Sequence, residues 1–191
     1  MNLANKLTLS RIVLAFFFIL SIHQPGVASA IVATLIFTVA SLTDYYDGYV
    51  AKKYGLQTDF GKLMDPIADK FLILSAFIVF VRMNIVADWM VILIFTREIL
   101  ITGLRIFALT KDKIIAAERA GKHKTVSQIV AIYIILGFII FKRSVLALSG
   151  WTTAIDQWWS VGINVTMLVT VALTLISGFS YLWTNRDLIQ T

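Results

Sequence analysis

The chain has 191 residues, of which 59% are hydrophobic and only 15% charged, with a net charge of +6. Soluble domains hold roughly 45 to 50% apolar and about 25% charged residues, so an ordinary water-soluble domain is excluded. The absence of cysteine removes disulfide frameworks, thiolate metal sites and thiol catalysis, and two histidines, His23 and His123, are too few and too far apart for an imidazole-based metal centre.

Apolar stretches predict six transmembrane spans at 5–22, 28–50, 63–82, 87–109, 125–142 and 160–184. At ~20 residues each they use about 120 positions, leaving only short loops. Residues 1–191 therefore read as a single transmembrane domain, an all-α polytopic integral membrane protein with six transmembrane helices. The first span also has a signal-peptide reading, because Lys6 and Arg11 precede an apolar run from Ile12 to Leu20 and the small residues Val27-Ala28-Ser29-Ala30 follow. Cleavage there would leave five spans. The basic residues oppose it: three (Arg82, Lys142, Arg143) fall on one face of a six-span arrangement and thirteen on the other, with Arg97 mid-span. That asymmetry places both termini, and the loops 52–62 and 111–124, in the cytoplasm of a cell-membrane protein. It also accounts for the net positive charge through the bilayer surface, with no nucleic-acid partner. Trp89, Trp151, Trp158, Trp159 and Trp183 lie near span ends, as interfacial aromatics do.

Five of the eleven carboxylates fall between Asp44 and Asp69. Acids at a membrane edge are costly unless paired and so mark function. Asp44, Asp47, Gly48, Ala51 and Lys52 recur at i, i+3, i+4, i+7 and i+8, one stripe at the end of the second span. Gly61, Asp65 and Asp69 recur every four residues at the start of the third. The polar turn between them offers Thr58 or Asp59 as a helix cap. So short a turn predicts antiparallel neighbours, with Asp44, Asp47, Asp65 and Asp69 at one depth. Four carboxylates together need cations, and oxygen-only ligation suits a hard ion such as Mg²⁺, Mn²⁺ or Ca²⁺. Two such ions would neutralise four acids, the arrangement that serves displacement at phosphorus. The alternative is an ion-paired staple between the helices, with Lys52, Lys62 and Lys70 as partners.

The string DYYDGYVAKKYGLQTDFGKLMDPIADK, Asp44 to Lys70, resembles the signature of the CDP-alcohol phosphotransferase family, D-x-x-D-G-x-x-A-R-x8-G-x3-D-x3-D. Every spacing is met, and one residue departs: Lys52 stands where arginine is usual, keeping the charge without the planar fork. The opening NLANKLTLSR, with Ala4 where proline is usual, the stretches REILITGLR and AGKHKT, and less specifically SGFSYLWTNRD are similar to the branch formed by bacterial phosphatidylglycerophosphate synthases. The resemblance implies the CDP-alcohol phosphotransferase fold and a homodimer. It implies two Mg²⁺ ions, with Mn²⁺ as an alternative, held by Asp44, Asp47, Asp65 and Asp69, with Asp69 also the general base. It further implies contacts from Gly48, Lys52 and Thr58 to CDP-diacylglycerol, with Asn5, Thr8 and Arg11 closing the nucleotide side. The implied reaction passes the phosphatidyl group of CDP-diacylglycerol to sn-glycerol 3-phosphate and expels CMP.

An acceptor phosphate needs cations. Glu98, Thr102 and Arg105 fall at i, i+4 and i+7 on the fourth span, and Arg119, Lys122 and Lys124 lead into the fifth; Arg105, Arg119, Lys122 and Lys124 are the candidate glycerol-phosphate ligands. Two bland readings compete, a solvated basic loop drawn to anionic lipid and a structural intramembrane pair of Arg97 with Glu98. Two other functions also fit part of the pattern: the same chemistry with inositol phosphate, serine or phosphatidylglycerol as acceptor, and a divalent-cation transporter. The transporter reading suffers from having all four acids toward one membrane face.

Overall fold

The computed structural model describes the backbone of residues 3–54, 59–110, 120–147 and 151–186, and the side chains of 9–43, 70–104, 106, 124–146 and 151–186. The described residues form six helices and no strand: α1 (Leu3–His23), α2 (Val27–Tyr54), α3 (Asp59–Arg82), α4 (Asp88–Thr110), α5 (Ala120–Ala147) and α6 (Thr153–Thr184). Each predicted span coincides with one helix. The helices run past the apolar stretches, α5 by five residues at each end and α6 by seven at its start, because a helix continues through polar residues until something caps it. For α6 the cap is Thr152, whose Oγ1 accepts from the Ile155 N–H.

The turns at one end are tightly specified. Gly26 sits at φ +96° between α1 and α2, where a side chain would be strained, and Ser29 Oγ donates back toward the Gln24 and Gly26 carbonyls at 2.8 and 2.9 Å. Asn84, at φ 55°, closes α3 in a Schellman motif: the Ile85 N–H bonds the Phe80 carbonyl at 3.0 Å and the Asn84 N–H bonds the Val81 carbonyl at 2.9 Å.

α1 packs on both α2 and α3, while among the described residues α2 and α3 touch each other only slightly. The short turn had suggested direct neighbours; instead α1 lies between them. Its buried stripe of Arg11, Ala15, Phe18 and Ile22 meets that of α2, Ala30, Ala33, Phe37 and Ala40, where alanines let the backbones approach. α3 is the central helix, since Leu72 to Phe77 are buried without a break, as are Val79 and Phe80. α4 and α5 each pack on α3 and on α6.

The outer surface is apolar. Trp158, Phe179 and Trp183 on α6 are 78%, 76% and 70% exposed, beside Ile176 and Val165, a surface that water would not tolerate on a monomer. Lys124–Leu146 of α5 and Thr153–Thr184 of α6 are long and apolar enough to cross a membrane; the apolar stretches Leu9–His23 and Val27–Thr43 are shorter. The protein is thus an all-helical bundle of membrane character.

Candidate active site

Successive helices alternate in direction, so one end of the bundle gathers the start of α1, the end of α2, the starts of α3 and α5, and the ends of α4 and α6. The acidic signature falls there. Asp44, Asp47, Gly48, Ala51 and Lys52 lie on the last turns of α2, and Gly61, Asp65 and Asp69 on the first turns of α3. Both runs are helical, so the expected i, i+3/i+4 registers hold along the backbone. The side chains of these residues, like those of Asn5, Thr8, Arg105 and Lys122, lie outside the described residues, and Thr58 and Arg119 lie outside them altogether. Among the described side chains no three His, Cys, Asp or Glu residues group as metal ligands. Arg11 is described, and it is buried at 1% exposure. Helical side chains tilt toward the N-terminus of their helix, which for Arg11 is the end that carries the signature.

One turn into the bundle from the acids lies a buried polar network centred on Glu98. Its Oε1 accepts from Lys124 of α5, from Arg97 Nη1 at 3.3 Å and from Gln128 Nε2 at 3.4 Å. Its Oε2 lies 3.9 Å from the Lys70 ammonium of α3. Lys70 also donates to Thr102, whose hydroxyl donates in turn to the Glu98 carbonyl at 2.7 Å. Glu98, Arg97, Lys124 and Gln128 are all buried, so each ion is held by partners rather than by water. Gln128 reaches Thr174 on α6 at 3.4 Å, and Arg97 Nη2 donates to Ser177 at 3.0 Å. A glycine makes the last contact fit: a Cβ on Gly178 would stand 2.9 Å from Arg97 Cγ and 3.2 Å from its Nε.

This network joins two readings that the sequence held apart. Arg97 and Glu98 do pair, yet Glu98 is shared with Lys124, one of the candidate acceptor ligands, and with Lys70, the residue after Asp69. Sequence reasoning missed Lys70 in this role, together with Gln128, Thr174 and Ser177. Only the helical spacing of Thr174, Ser177, Gly178 and Tyr181, a run of mostly small or polar residues at i, i+3, i+4 and i+7, could have signalled the buried face of α6. His23 belongs to the opposite end, where its ring bonds the Ile19 carbonyl at 2.8 Å.

A helical membrane bundle with this signature at one end defines a class. The family model for CDP-alcohol phosphatidyltransferases matches residues 1–176, and the chain belongs to that family. Among curated proteins, a CDP-diacylglycerol-glycerol-3-phosphate 3-phosphatidyltransferase of Bacillus subtilis is 35% identical, over 100% of this chain and 98% of its own. A probable phosphatidylglycerophosphate synthase of Mycobacterium tuberculosis is 39% identical over 94% of this chain and 79% of its own. The Escherichia coli K12 protein of the first name is 37% identical over 69% of this chain and 74% of its own.

Proposed function

We propose that this protein transfers the phosphatidyl group of CDP-diacylglycerol to sn-glycerol 3-phosphate, yielding phosphatidylglycerophosphate and CMP. The observation that carries the reading is the end-to-end likeness to a relative named for that reaction. The position of the signature supports it, because the helix ends bearing the four aspartates share one end of the bundle with buried Arg11 and Lys124.

In this reading Asp44, Asp47, Asp65 and Asp69 hold two divalent ions, Mg²⁺ with Mn²⁺ as the alternative. The donor set fits: four carboxylates on two helix ends, without histidine or thiolate, suit a hard cation. Bound there, the ions supply charge neutralisation at the pyrophosphate oxygens and the CMP leaving group. Asp69 accepts the proton of the glycerol 1-hydroxyl as that oxygen attacks the phosphorus bonded to diacylglycerol, and the bond from that phosphorus to CMP breaks. Gly48, Lys52 and Thr58 contact the cytidine diphosphate, with Asn5, Thr8 and Arg11 closing its nucleotide side. Arg105, Arg119, Lys122 and Lys124 take the acceptor phosphate as charge-assisted donors. Residues 1–191 form one domain of six membrane spans, with termini and site on the cytoplasmic face, as the three-against-thirteen split of basic residues supports. The working unit is a homodimer, as the family resemblance implies.

Detergent-solubilised protein should release CMP from CDP-diacylglycerol only when glycerol 3-phosphate and a divalent ion are both present, and chelation should stop it. Release driven by inositol phosphate or serine, with none above background from glycerol 3-phosphate, would reject the acceptor.

A further inference from the structure

Glu98 is a single buried carboxylate that meets cationic side chains from three helices: Lys70 of α3, Arg97 of its own helix and Lys124 of α5. A staple between two helices needs one such partner. The lysines are the informative pair. A lysine ammonium rides on a flexible four-carbon stem and has no fixed position unless something holds it. Here the two carboxylate oxygens divide the task, Oε1 for Lys124 and Oε2 for Lys70. Glu98 is itself held from behind, because Gln128, at 2% exposure, bridges it to Thr174. From the other side, Thr102 ties Lys70 to the Glu98 backbone.

The two lysines belong to the two halves of the site. Lys70 follows Asp69, the general base in the reading above, and Lys124 is a ligand for the acceptor phosphate in the same reading, on which this inference rests. We propose that Glu98 is a positioning residue, which sets the distance between the cation that grips the acceptor phosphate and the helix turn that presents the base to the acceptor hydroxyl. Attack requires that hydroxyl near phosphorus while the acceptor's own phosphate stays anchored; with Asp44, Asp47 and Asp65 still holding the ions in the reading above, an error in the spacing falls on the acceptor far more than on CDP-diacylglycerol. Without the carboxylate, the buried Arg97 and Lys124 and the half-buried Lys70 become three neighbouring like charges and move apart.

The test uses the full chain in detergent, with CMP release followed against each substrate in turn. Glu98→Gln keeps the shape and removes the charge. KM for glycerol 3-phosphate should rise about tenfold or more while KM for CDP-diacylglycerol stays within about twofold, the scale of loss expected when a reacting group is slightly misplaced. Glu98→Asp keeps the charge one methylene short and should show the same selectivity at smaller size; it serves as the test if the glutamine variant does not survive extraction. Arg143→Ala, at the far end of the bundle, should lower the melting temperature and leave both KM values unchanged. Equal losses for both substrates, or an unchanged KM for glycerol 3-phosphate in the Gln and Asp variants, would overturn the positioning role and leave the proposed reaction standing. If the wild type showed no turnover with glycerol 3-phosphate, reaction and positioning role would fall together.

Discussion

The two ends of the bundle use cations in opposite ways. At the end away from the signature, Arg143 donates to the Ile22, Gln24 and Gly26 carbonyls at 2.7, 3.0 and 3.0 Å and to Ser29 Oγ at 3.0 Å. It closes the α1 C-terminus, whose last carbonyls have no partner within the helix. Next to it Lys142 meets Asp156 at 2.6 Å and lies 5.2 Å from the Trp151 ring, within an aromatic group formed by Phe138, Phe141, Trp151 and Trp159. These cations satisfy backbone and rings at the surface. At the signature end, Lys70, Arg97 and Lys124 converge on a side-chain acid in the interior. A helix terminus can be closed cheaply in contact with water, whereas burying several like charges is costly, a cost consistent with the proposal that anionic substrates are handled at this end.

The largest test of this contrast is Asp69→Asn. If the signature end is the chemical end, CMP release should fall by about two to four orders of magnitude, the usual contribution of a positioned general base. The melting temperature should not fall, because in the proposed site the substitution removes one of four like charges. Turnover within a few-fold of wild type would take the base away from Asp69 and send the search to the other aspartates.

Gly178→Ala probes the seam between α4 and α6. The new methyl group would meet Arg97 Cγ at 2.9 Å, the near part of the stem rather than its free end, so the whole side chain has to move. Overpacking of this kind costs about 1–3 kcal/mol, visible as a lower melting temperature. Because Arg97 also holds Glu98, a weaker response to glycerol 3-phosphate should accompany it. A variant with wild-type melting and kinetics would show that Arg97 has room to spare and that the network is looser than its distances suggest.

Much of the fold was legible in the sequence, and the reasons differ by element. Every helix was found because a long apolar run bounded by polar turns has few other outcomes; among the described residues those of α5 and α6 are also of membrane length. Helix ends were missed where charge had been read as a boundary: α5 continues through Lys142 and Arg143 to Ala147, their heads folding onto Asp156, Trp151 and the α1 carbonyls. The place of α1 between α2 and α3 was not legible, since a short turn fixes direction but not which helix fills the gap. In the site, the acidic registers followed from spacing alone, and Lys124 was singled out as a cation. Its partner Glu98 appeared only as a member of a stripe. Gln128 carried no signal and Thr174 and Ser177 only the small-residue spacing of α6, because their contacts join residues 30 to 80 positions apart and neutral side chains do not advertise their partners.

Arg143→Ala should cost about 1–2 kcal/mol, the loss of several hydrogen bonds from one charged donor, moderated by water reaching the freed carbonyls. Unchanged KM values for both substrates would keep the two ends functionally separate. A rise in either KM would mean that the α1–α2 turn transmits its position along α1 to Arg11, and the division between a structural and a chemical end would have to be redrawn.

The smallest effect belongs to Asp156→Asn. Its carboxylate is the closest anionic partner of Lys142, and a charge count alone would give this pair the same weight as Lys124 with Glu98. Both members are exposed enough for water to replace either one, however, and exposed pairs contribute little because attraction in water barely exceeds the entropy lost in holding two long side chains. Lys142 also keeps the Phe138 and Trp151 rings, at 5.5 and 5.2 Å. The melting temperature should therefore stay within measurement scatter of the wild type at low and at high salt. A clear fall at low salt that vanishes at high salt would show ion pairing at work at this end too, and the contrast would then rest on burial alone rather than on what the cations bind.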